Sequence, residues 1–256
     1  MDDTALLALA FDLAARAGET ILAVRARGFE TRHKADASPV TEADQQAELL
    51  IAAGLRAATP DLPVVAEEAV AAGHVPAQAA SFWCVDPLDG TREFAAGGDD
   101  FAVCIGLVRD GAPVLGVVGV PARGALYGGR IGGGAVKRTA AGAHAIAARA
   151  PPAEGIAVLA SRHHGKDPRM QDFLASRQVA STLNLGSALK FCLIAEGLAD
   201  LYPRFGTTME WDTCAAQAVL EAAGGAVRTV EGDAILRYGK PGWVNPHFYA
   251  TGRITP

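Results

Sequence analysis

Apolar positions recur at the spacing of an α-helix in two segments near the start of the chain. In residues 4–27 they follow the helical repeat without a break, which predicts a long amphipathic helix. Thr41 begins a second segment of this kind, which continues to about residue 58 and stops before a Thr-Pro pair. The polar stretch 28–40 between the two predicts a turn or a hairpin.

Shorter apolar runs in the rest of the chain predict strands. In the first half they are 63–66, 82–85, 101–108 and 114–120, with further strand-like pieces in 124–138. Arg109-Asp110-Gly111 predicts a hairpin turn between two of these runs. Residues 139–152, rich in Ala and Pro, predict a linker.

Strands and helices alternate beyond the predicted linker. The strands are 156–161, 179–184, 199–203 and 226–230, and the helices are 168–177, 187–197 and 211–223. The pattern therefore predicts an N-terminal α+β subdomain over 1–150 and a C-terminal α/β subdomain over 151–256.

Composition narrows the class of protein. The 256 residues carry 23 Lys and Arg against 28 Asp and Glu, a formal net charge of -5. This balance argues against a nucleic-acid-binding protein, although a small phosphorylated substrate needs only a local cationic patch or a metal. The chain shows neither a basic signal region nor an apolar run of membrane-spanning length, so we expect a cytoplasmic protein without stable membrane insertion. Its four cysteines, which form no C-x-x-C pair, are expected to be buried thiols.

The most informative segment is 82–91, which reads FWCVDPLDGT. Pro87 suits the second position of a tight turn, and such a turn would bring the Cα atoms of Asp86 and Asp89 within about 7 Å. Two carboxylates that close repel unless one is protonated or a cation lies between them. With the carbonyl of Leu88 they would form a set of hard oxygen ligands that favours Mg²⁺ or Mn²⁺ over zinc. A polar surface turn is the alternative.

Gly90 and Thr91 extend this segment. Gly90 permits close approach of the backbone, and Thr91 is placed to cap a helix that begins at Arg92. Free N–H groups at a helix start bind phosphate, so the segment favours phosphoryl chemistry. A plain N-cap is the other interpretation of Thr91.

Three further acids stand at the ends of predicted elements. Glu67 ends an apolar run, Asp212 opens the last predicted helix, and Asp44 follows Thr41 at the spacing of a capping box. Taken singly, each has a structural explanation as a solvated loop charge, a partner of the helix dipole or a cap.

Together these segments resemble the inositol monophosphatase superfamily of lithium-sensitive, magnesium-dependent phosphatases. The superfamily motif W-x-V-D-P-L-D-G-T is complete at 83–91. Its second motif, W-D-x-A-A-G, occurs at 211–216 with Cys214 and Ala216 where the family often has alanine and glycine. The resemblance extends from Leu6 to Tyr249 and implies a layered αβαβα sandwich.

The resemblance also implies a set of metal ligands drawn from three segments of the chain. They are Glu67 and the Leu88 carbonyl for a first ion, Asp86 as the bridge to a second, and Asp89 and Asp212 for that second ion. Asp44 and Thr91 would orient and deprotonate the attacking water. Two or three Mg²⁺ per site are implied, with Mn²⁺ as a substitute, Li⁺ as an inhibitor and no covalent intermediate. A homodimer is compatible with the resemblance.

Within the superfamily, four parts of the chain are similar to the bacterial 3′(2′),5′-bisphosphate nucleotidases: 34–44, 186–197, 199–206 and the tail at 238–240 with 245–246. Those enzymes hydrolyse adenosine 3′,5′-bisphosphate, a by-product of sulfate assimilation, to AMP and phosphate. The substrate contacts that this similarity implies are Gly90, Thr91, His164, Ser187, Lys190 and Arg204.

Charge favours the same substrate class. Metals serve the phosphate that is cleaved, so a retained second phosphate needs cations of its own. Ser187 and Lys190 lie three residues apart near a predicted helix start, and Arg204 follows the next strand and offers a bidentate fork. Solvated surface charges are the alternative.

Three other functions remain open. One is an inositol-1-phosphatase, a fructose-1,6-bisphosphatase or a related sugar phosphatase of the same superfamily. Another is a glycosidase, since paired carboxylates also serve that chemistry. The third is a non-catalytic protein that binds phosphate.

Overall fold

A computed structural model describes residues 1–34, 38–162 and 167–253. The helices are α1 (Asp3–Arg27), α2 (Glu42–Ala58), α3 (Glu67–Ala71), α4 (Thr91–Ala95), α5 (Pro168–Leu174), α6 (Leu189–Ala195) and α7 (Cys214–Ala222). The strands are β1 (Thr31–His33), β2 (Pro39–Thr41), β3 (Val64–Ala66), β4 (Ser81–Asp89), β5 (Ala102–Arg109), β6 (Ala112–Val120), β7 (Ala125–Arg130), β8 (Gly134–Thr139), β9 (Gly142–Ile146), β10 (Ile156–Ser161), β11 (Val179–Leu185), β12 (Leu201–Arg204), β13 (Ala226–Thr229) and β14 (Phe248–Thr251).

Two large sheets organise the described part of the chain. One has seven strands in the order β3-β4-β5-β6-β7-β8-β9, and the other has five in the order β11-β10-β12-β14-β13. Helices α1 and α2 bury their apolar faces on the outer side of the larger sheet. Helices α6 and α7 lie in the layer between the sheets, and α5 covers the outer side of the smaller one. The predicted αβαβα sandwich is therefore confirmed.

The predicted N-terminal elements are also confirmed. Asp2 accepts a hydrogen bond from Ala5 N and caps α1, whose apolar stripe is buried. Strands β1 and β2 form the expected hairpin. Thr41 and Asp44 make the predicted capping box at the start of α2, with Asp in place of the usual Glu.

Several element boundaries differ from those predicted. Gly142–Ile146, inside the expected linker, forms β9 and extends the larger sheet. The helix predicted over 168–177 ends at Leu174. The helix predicted from residue 211 begins at Cys214, because residues 210–213 form a turn in which the Thr213 and Cys214 N–H groups donate to the Glu210 carbonyl. The two-subdomain division remains a prediction.

Three glycines form a groove across the larger sheet. Gly106 of β5 is paired with Gly116 of β6, which is paired with Gly129 of β7. A Cβ atom on Gly116 would lie 2.7 Å from the Cα of Ala215, and one on Gly106 would lie 2.9 Å from the Ala215 backbone N. Helix α7 thus rests directly on the sheet backbone in this glycine groove. The close approach explains why small residues occupy the start of α7.

An ion pair fastens the segment that joins the two sheets. Arg149 donates from Nε and Nη2 to the two carboxylate oxygens of Asp200, at 2.7 and 2.8 Å. Asp200 Oδ2 also accepts from the N–H of Ala157 in β10, at 2.8 Å. This bidentate pair therefore lies at the start of β10 and β12, two neighbouring interior strands of the smaller sheet.

The four cysteines are buried free thiols, as expected. In the described part of the chain, no helix is long and apolar enough to cross a membrane.

Candidate active site

A β-bulge in β4 brings Asp86 and Asp89 to one side of the larger sheet. Residues three apart in a regular strand point to opposite faces. Here Asp86 is paired with Cys104 and Asp89 with Ala102, so β4 holds one extra residue relative to β5. Because those partners are two apart, both acids face the layer between the sheets. The predicted tight turn is therefore wrong: 86–89 remains in the strand, and Pro87, which has no N–H to donate, lies in the bulge.

A cleft of about 320 Å³ opens between the two sheets beside this bulge. Of the proposed site residues, those that line it are Glu67, Asp86, Leu88, Asp89, Gly90, Thr91, Ser187, Lys190, Arg204 and Asp212. Asp44 lies behind Thr91, and His164 lies outside the described residues. Segments far apart in the chain thus converge on a single cleft.

Burial and mutual repulsion together raise the pKa values of the acids on the floor of the cleft. Burial, together with the charges of Glu67, Asp89 and Asp212, raises the pKa of Asp86 far above its ordinary value. Burial and the charges of Asp89 and Glu67 do the same for the pKa of Asp212. Burial raises the pKa of Asp89 to about 6 against the opposing effect of Lys190. A positive charge placed among these groups would lower all three pKa values.

Each of these carboxylates is bonded to a donor of its own. Asp86 Oδ1 accepts from Leu88 N and Asp212 Oδ2 from Met209 N, both at 2.9 Å. Asp89 accepts from Ala188 N, and Glu67 pairs with Lys34. Within residues 1–34, 38–162 and 167–253, no three Asp, Glu, His or Cys side chains are grouped closely enough to hold an ion as they stand. The donor set nevertheless fits a hard divalent cation in its chemistry, since all its atoms are oxygens and a cation would relieve their repulsion.

Asp44 and Thr91 form a hydrogen-bonded pair at the edge of the cleft. The Thr91 hydroxyl lies 2.9 Å from Asp44 Oδ1 and 2.9 Å from the Leu88 carbonyl, so its single proton serves two acceptors. Burial raises the pKa of Asp44 despite its hydrogen bonds from Thr41 and Thr91. Gly90 precedes α4 in the left-handed region, with φ 93°, and Thr91 is the first helical residue. The expectation that Thr91 caps α4 is therefore wrong, since its hydroxyl is engaged elsewhere.

Asp212 reaches the cleft from the turn just before α7. Cys214 and Ala216 at the start of this helix are completely buried, and the glycine groove holds the backbone of Ala215 close to β5 and β6. The two departures from the family motif therefore sit in a small-residue interface that accommodates them. The position of Asp212 depends on this docking.

Ser187 and Lys190 occupy a tight turn before α6 and the start of that helix. Ser187 has φ 52°, which places it in the left-handed region and outside the helix in which it was predicted. Lys190 Nζ donates to the Ser187 carbonyl at 2.6 Å and to the Leu185 carbonyl at 3.3 Å. Burial lowers the pKa of Lys190 to about 8. Lys190 is therefore a buried cation that braces the turn, rather than the surface charge of the alternative interpretation.

Arg204 lies at the end of β12 on the same wall. Its Nη2 donates to the Thr207 carbonyl at 3.0 Å. Its Nε is buried and has no hydrogen-bond partner within the described residues. A buried guanidinium N–H without a partner is costly, so it marks a place where an anion would be favoured.

Two charged residues of this region were missed at the sequence level. Lys34 pairs with Glu67, and Asp100 accepts from Arg123 and Arg162 while lying behind Gly186, whose N–H is 3.5 Å from Asp100 Oδ2. Each contact joins residues far apart in the chain. No local pattern could have indicated them.

Comparisons with known proteins agree with this geometry. A family model described as the inositol monophosphatase family matches residues 2–255. A 3′(2′),5′-bisphosphate nucleotidase CysQ of Salmonella typhimurium is 41% identical over 241 residues, covering 93% of this chain and 96% of the relative. One from Aggregatibacter actinomycetemcomitans is 32% identical over 251 residues, covering 96% and 92%.

Solved structures give the same result. A crystal structure of CysQ from Bacteroides thetaiotaomicron matches with a TM-score of 0.81 and 34% identity, covering 98% of both chains. An inositol monophosphatase from Thermotoga maritima has a TM-score of 0.79 at 22% identity, covering 98% of this chain and 92% of that one, and shows the fold alone.

Proposed function

The chain belongs to the inositol monophosphatase family, and from this premise we propose that it is a metal-dependent phosphatase that removes the 3′-phosphate of adenosine 3′,5′-bisphosphate. The products are AMP and inorganic phosphate. Relatives that carry the bisphosphate nucleotidase name cover nearly the whole chain at 32 to 41% identity, which supports this substrate over the other substrates of the family.

Glu67, Asp86, the Leu88 carbonyl, Asp89 and Asp212 would hold the divalent cations. Bound there, two Mg²⁺ would lower the pKa of a water molecule and stabilise the developing charge on the attacking and leaving oxygens. We propose two or three Mg²⁺ per site, replaceable by Mn²⁺ and inhibited by Li⁺. The mutual repulsion of the acids is the observation that supports a multi-cation site.

Thr91 and Asp44 would position the water and take its proton. The Thr91 oxygen, which lines the cleft, would accept a hydrogen bond from the water. Its own proton would point to Asp44 Oδ1 rather than to the Leu88 carbonyl, since that carbonyl is a proposed metal ligand. As the water attacks, Thr91 takes a proton from it and passes its own to Asp44. The N–H groups that follow Gly90 would bind the transferred phosphate.

The retained 5′-phosphate would lie against the opposite wall. Arg204 offers a buried Nε that has no partner in the described chain, and Lys190 adds a second cation behind the Ser187 turn. The Arg204 Nε is the observation that carries the choice of a bisphosphate, because a substrate with a single phosphate would leave it unpaired. We keep His164 as a proposed nucleotide contact.

A phosphate-release assay on three substrates tests the proposal. Adenosine 3′,5′-bisphosphate, inositol 1-phosphate and fructose 1,6-bisphosphate are compared with Mg²⁺, with and without Li⁺. We expect kcat/KM to be highest for the nucleotide by at least about a hundredfold, the scale of one charge-assisted pair. Equal or greater activity on inositol 1-phosphate would overturn the choice of substrate, and full activity after chelation would overturn the metal mechanism.

The assembly and location of the protein also stay proposals. We propose a homodimer and a cytoplasmic location. An enzyme that acts on a small phosphorylated metabolite, rather than on nucleic acid, agrees with the modest net charge of -5. Sedimentation of the purified protein tests the first of these.

A further inference from the structure

Lys34 lies at the turn end of the β1–β2 hairpin, directly after β1 and beside the cleft. Its Nζ is 2.6 Å from Glu67 Oε1 and 2.6 Å from Glu68 Oε1, and 12% of its side chain is exposed. Its N–H donates to the Ser38 carbonyl at 2.8 Å, and Ser38 lines the cleft. The ammonium group is thus held by two adjacent carboxylates, one of which is a proposed metal ligand.

Both carboxylates are themselves largely shielded from solvent. Only 24% of the Glu67 side chain and 14% of the Glu68 side chain is exposed, so water does little to screen the contact with Lys34. The backbone at Glu68 is held in place, because Glu48 accepts hydrogen bonds from Glu68 N at 2.7 Å and Ala69 N at 2.8 Å. Glu68 therefore gives Lys34 an alternative ion-pair partner next to Glu67.

We propose that Lys34 is a tethered internal cation that competes with the first metal ion for Glu67 and withdraws to Glu68 when that ion binds. The inference rests on the proposed metal site and deepens it. An ammonium at 2.6 Å from a carboxylate oxygen repels a divalent cation on the same oxygen, so Lys34 sets how weakly the site holds its metal. When no divalent ion is bound, the Lys34 ammonium takes its place beside Glu67 and neutralises part of the acidic charge.

Metal affinity measured without substrate tests this role. Titration calorimetry with Mg²⁺ on chelator-stripped protein should give a dissociation constant for Lys34→Met that is roughly tenfold lower than that of the wild type. Lys34→Arg keeps the charge and should stay within about twofold of the wild type. Lys137→Met is the matched control, since it breaks the ion pair with Glu196 away from the cleft and should leave the affinity unchanged.

A double-mutant cycle tests whether Glu68 is the alternative partner of Lys34. Glu68→Gln alone should weaken Mg²⁺ binding, because Lys34 is then confined to Glu67. In the Lys34→Met background the same change should have much less effect. The rise in melting temperature produced by Mg²⁺ gives a second readout, and Lys34→Gln replaces Lys34→Met if the latter fails to fold.

Two outcomes would overturn the inference: equal or weaker Mg²⁺ binding by Lys34→Met, or full additivity in the cycle. Both are distinct from a failure of the proposed function. If only the proposed function failed, Mg²⁺ would still bind the variants with the expected order of affinities, but adenosine 3′,5′-bisphosphate would not be hydrolysed.

Discussion

The carboxylate of Asp44 accepts hydrogen bonds from two threonine hydroxyls, and this allows a controlled test of the proposed proton path. The Thr91 oxygen lies 2.9 Å from Asp44 Oδ1 and lines the cleft. The Thr41 oxygen lies 2.7 Å from Asp44 Oδ2 and caps α2. Thr91→Val and Thr41→Val each remove one hydroxyl from the same acid with little change in volume. Only the first would remove the group that faces water.

The magnitudes of the two effects should separate clearly. General base catalysis contributes roughly 10² to 10⁴ in rate, which is about 3 to 5 kcal/mol of barrier. Loss of either hydrogen bond should cost about 0.5 to 2 kcal/mol of folding free energy. We therefore expect Thr91→Val to lower kcat by 10² to 10⁴ with little change in KM. Thr41→Val should lose a similar amount of stability but keep kcat within a few-fold.

Steady-state phosphate release from adenosine 3′,5′-bisphosphate, paired with urea unfolding, measures both quantities. Thr91→Ser keeps the hydroxyl and should recover most of the rate. Adding Asp44→Asn to Thr91→Val should cost little more than either change alone, because the two groups act as one path. The reasoning fails if the two valine variants lose kcat equally, or if Thr91→Val turns over at a near-normal rate.

Three further predictions concern the site and its support. Asp86→Asn should abolish turnover while leaving the circular dichroism spectrum unchanged, and near-normal rates would exclude a bridging role. Gly116→Ala should destabilise the protein by about 1 to 3 kcal/mol in urea, because its Cβ would meet Ala215; an unchanged midpoint would contradict the close approach of α7. Burial tends to raise the pKa of Asp200, but hydrogen bonds from Arg149 and Ala157 outweigh it, so the pKa of Asp200 is lowered. Its stabilising effect is therefore present above the unfolded pKa of about 3.9 and is lost as pH falls through the lower folded value. The stability gap between wild type and Asp200→Asn should shrink between pH 7 and pH 2, and a constant gap would refute this.

Local chemistry made much of the fold predictable. The helical repeat of 4–27, the capping box of Thr41 and Asp44 and the turn at Asp110-Gly111 depend only on neighbours in sequence, and all three are present. The acids could be located because they follow strands or precede helices.

Features that depend on strand register or on distant partners could not be predicted. The pattern Asp86-Pro87 suits a turn equally well, and only pairing with β5 turns it into a bulge. Lys190 has an ordinary helical position, yet packing in the layer between the two sheets leaves only 3% of it exposed. The proposed role of Lys34 depends on its contact with Glu67, which lies 33 residues away in the chain.

The glycine groove has a consequence for the order in which the cleft is completed. Synthesis on the ribosome delivers Asp44, Glu67, Asp86 and Asp89 early, but Asp212 arrives with α7, near the end of the 256 residues. Until that helix docks onto the glycine groove, the nascent protein holds the other acidic side chains without Asp212. The ability to bind the full set of divalent ions should therefore appear only after α7 has docked.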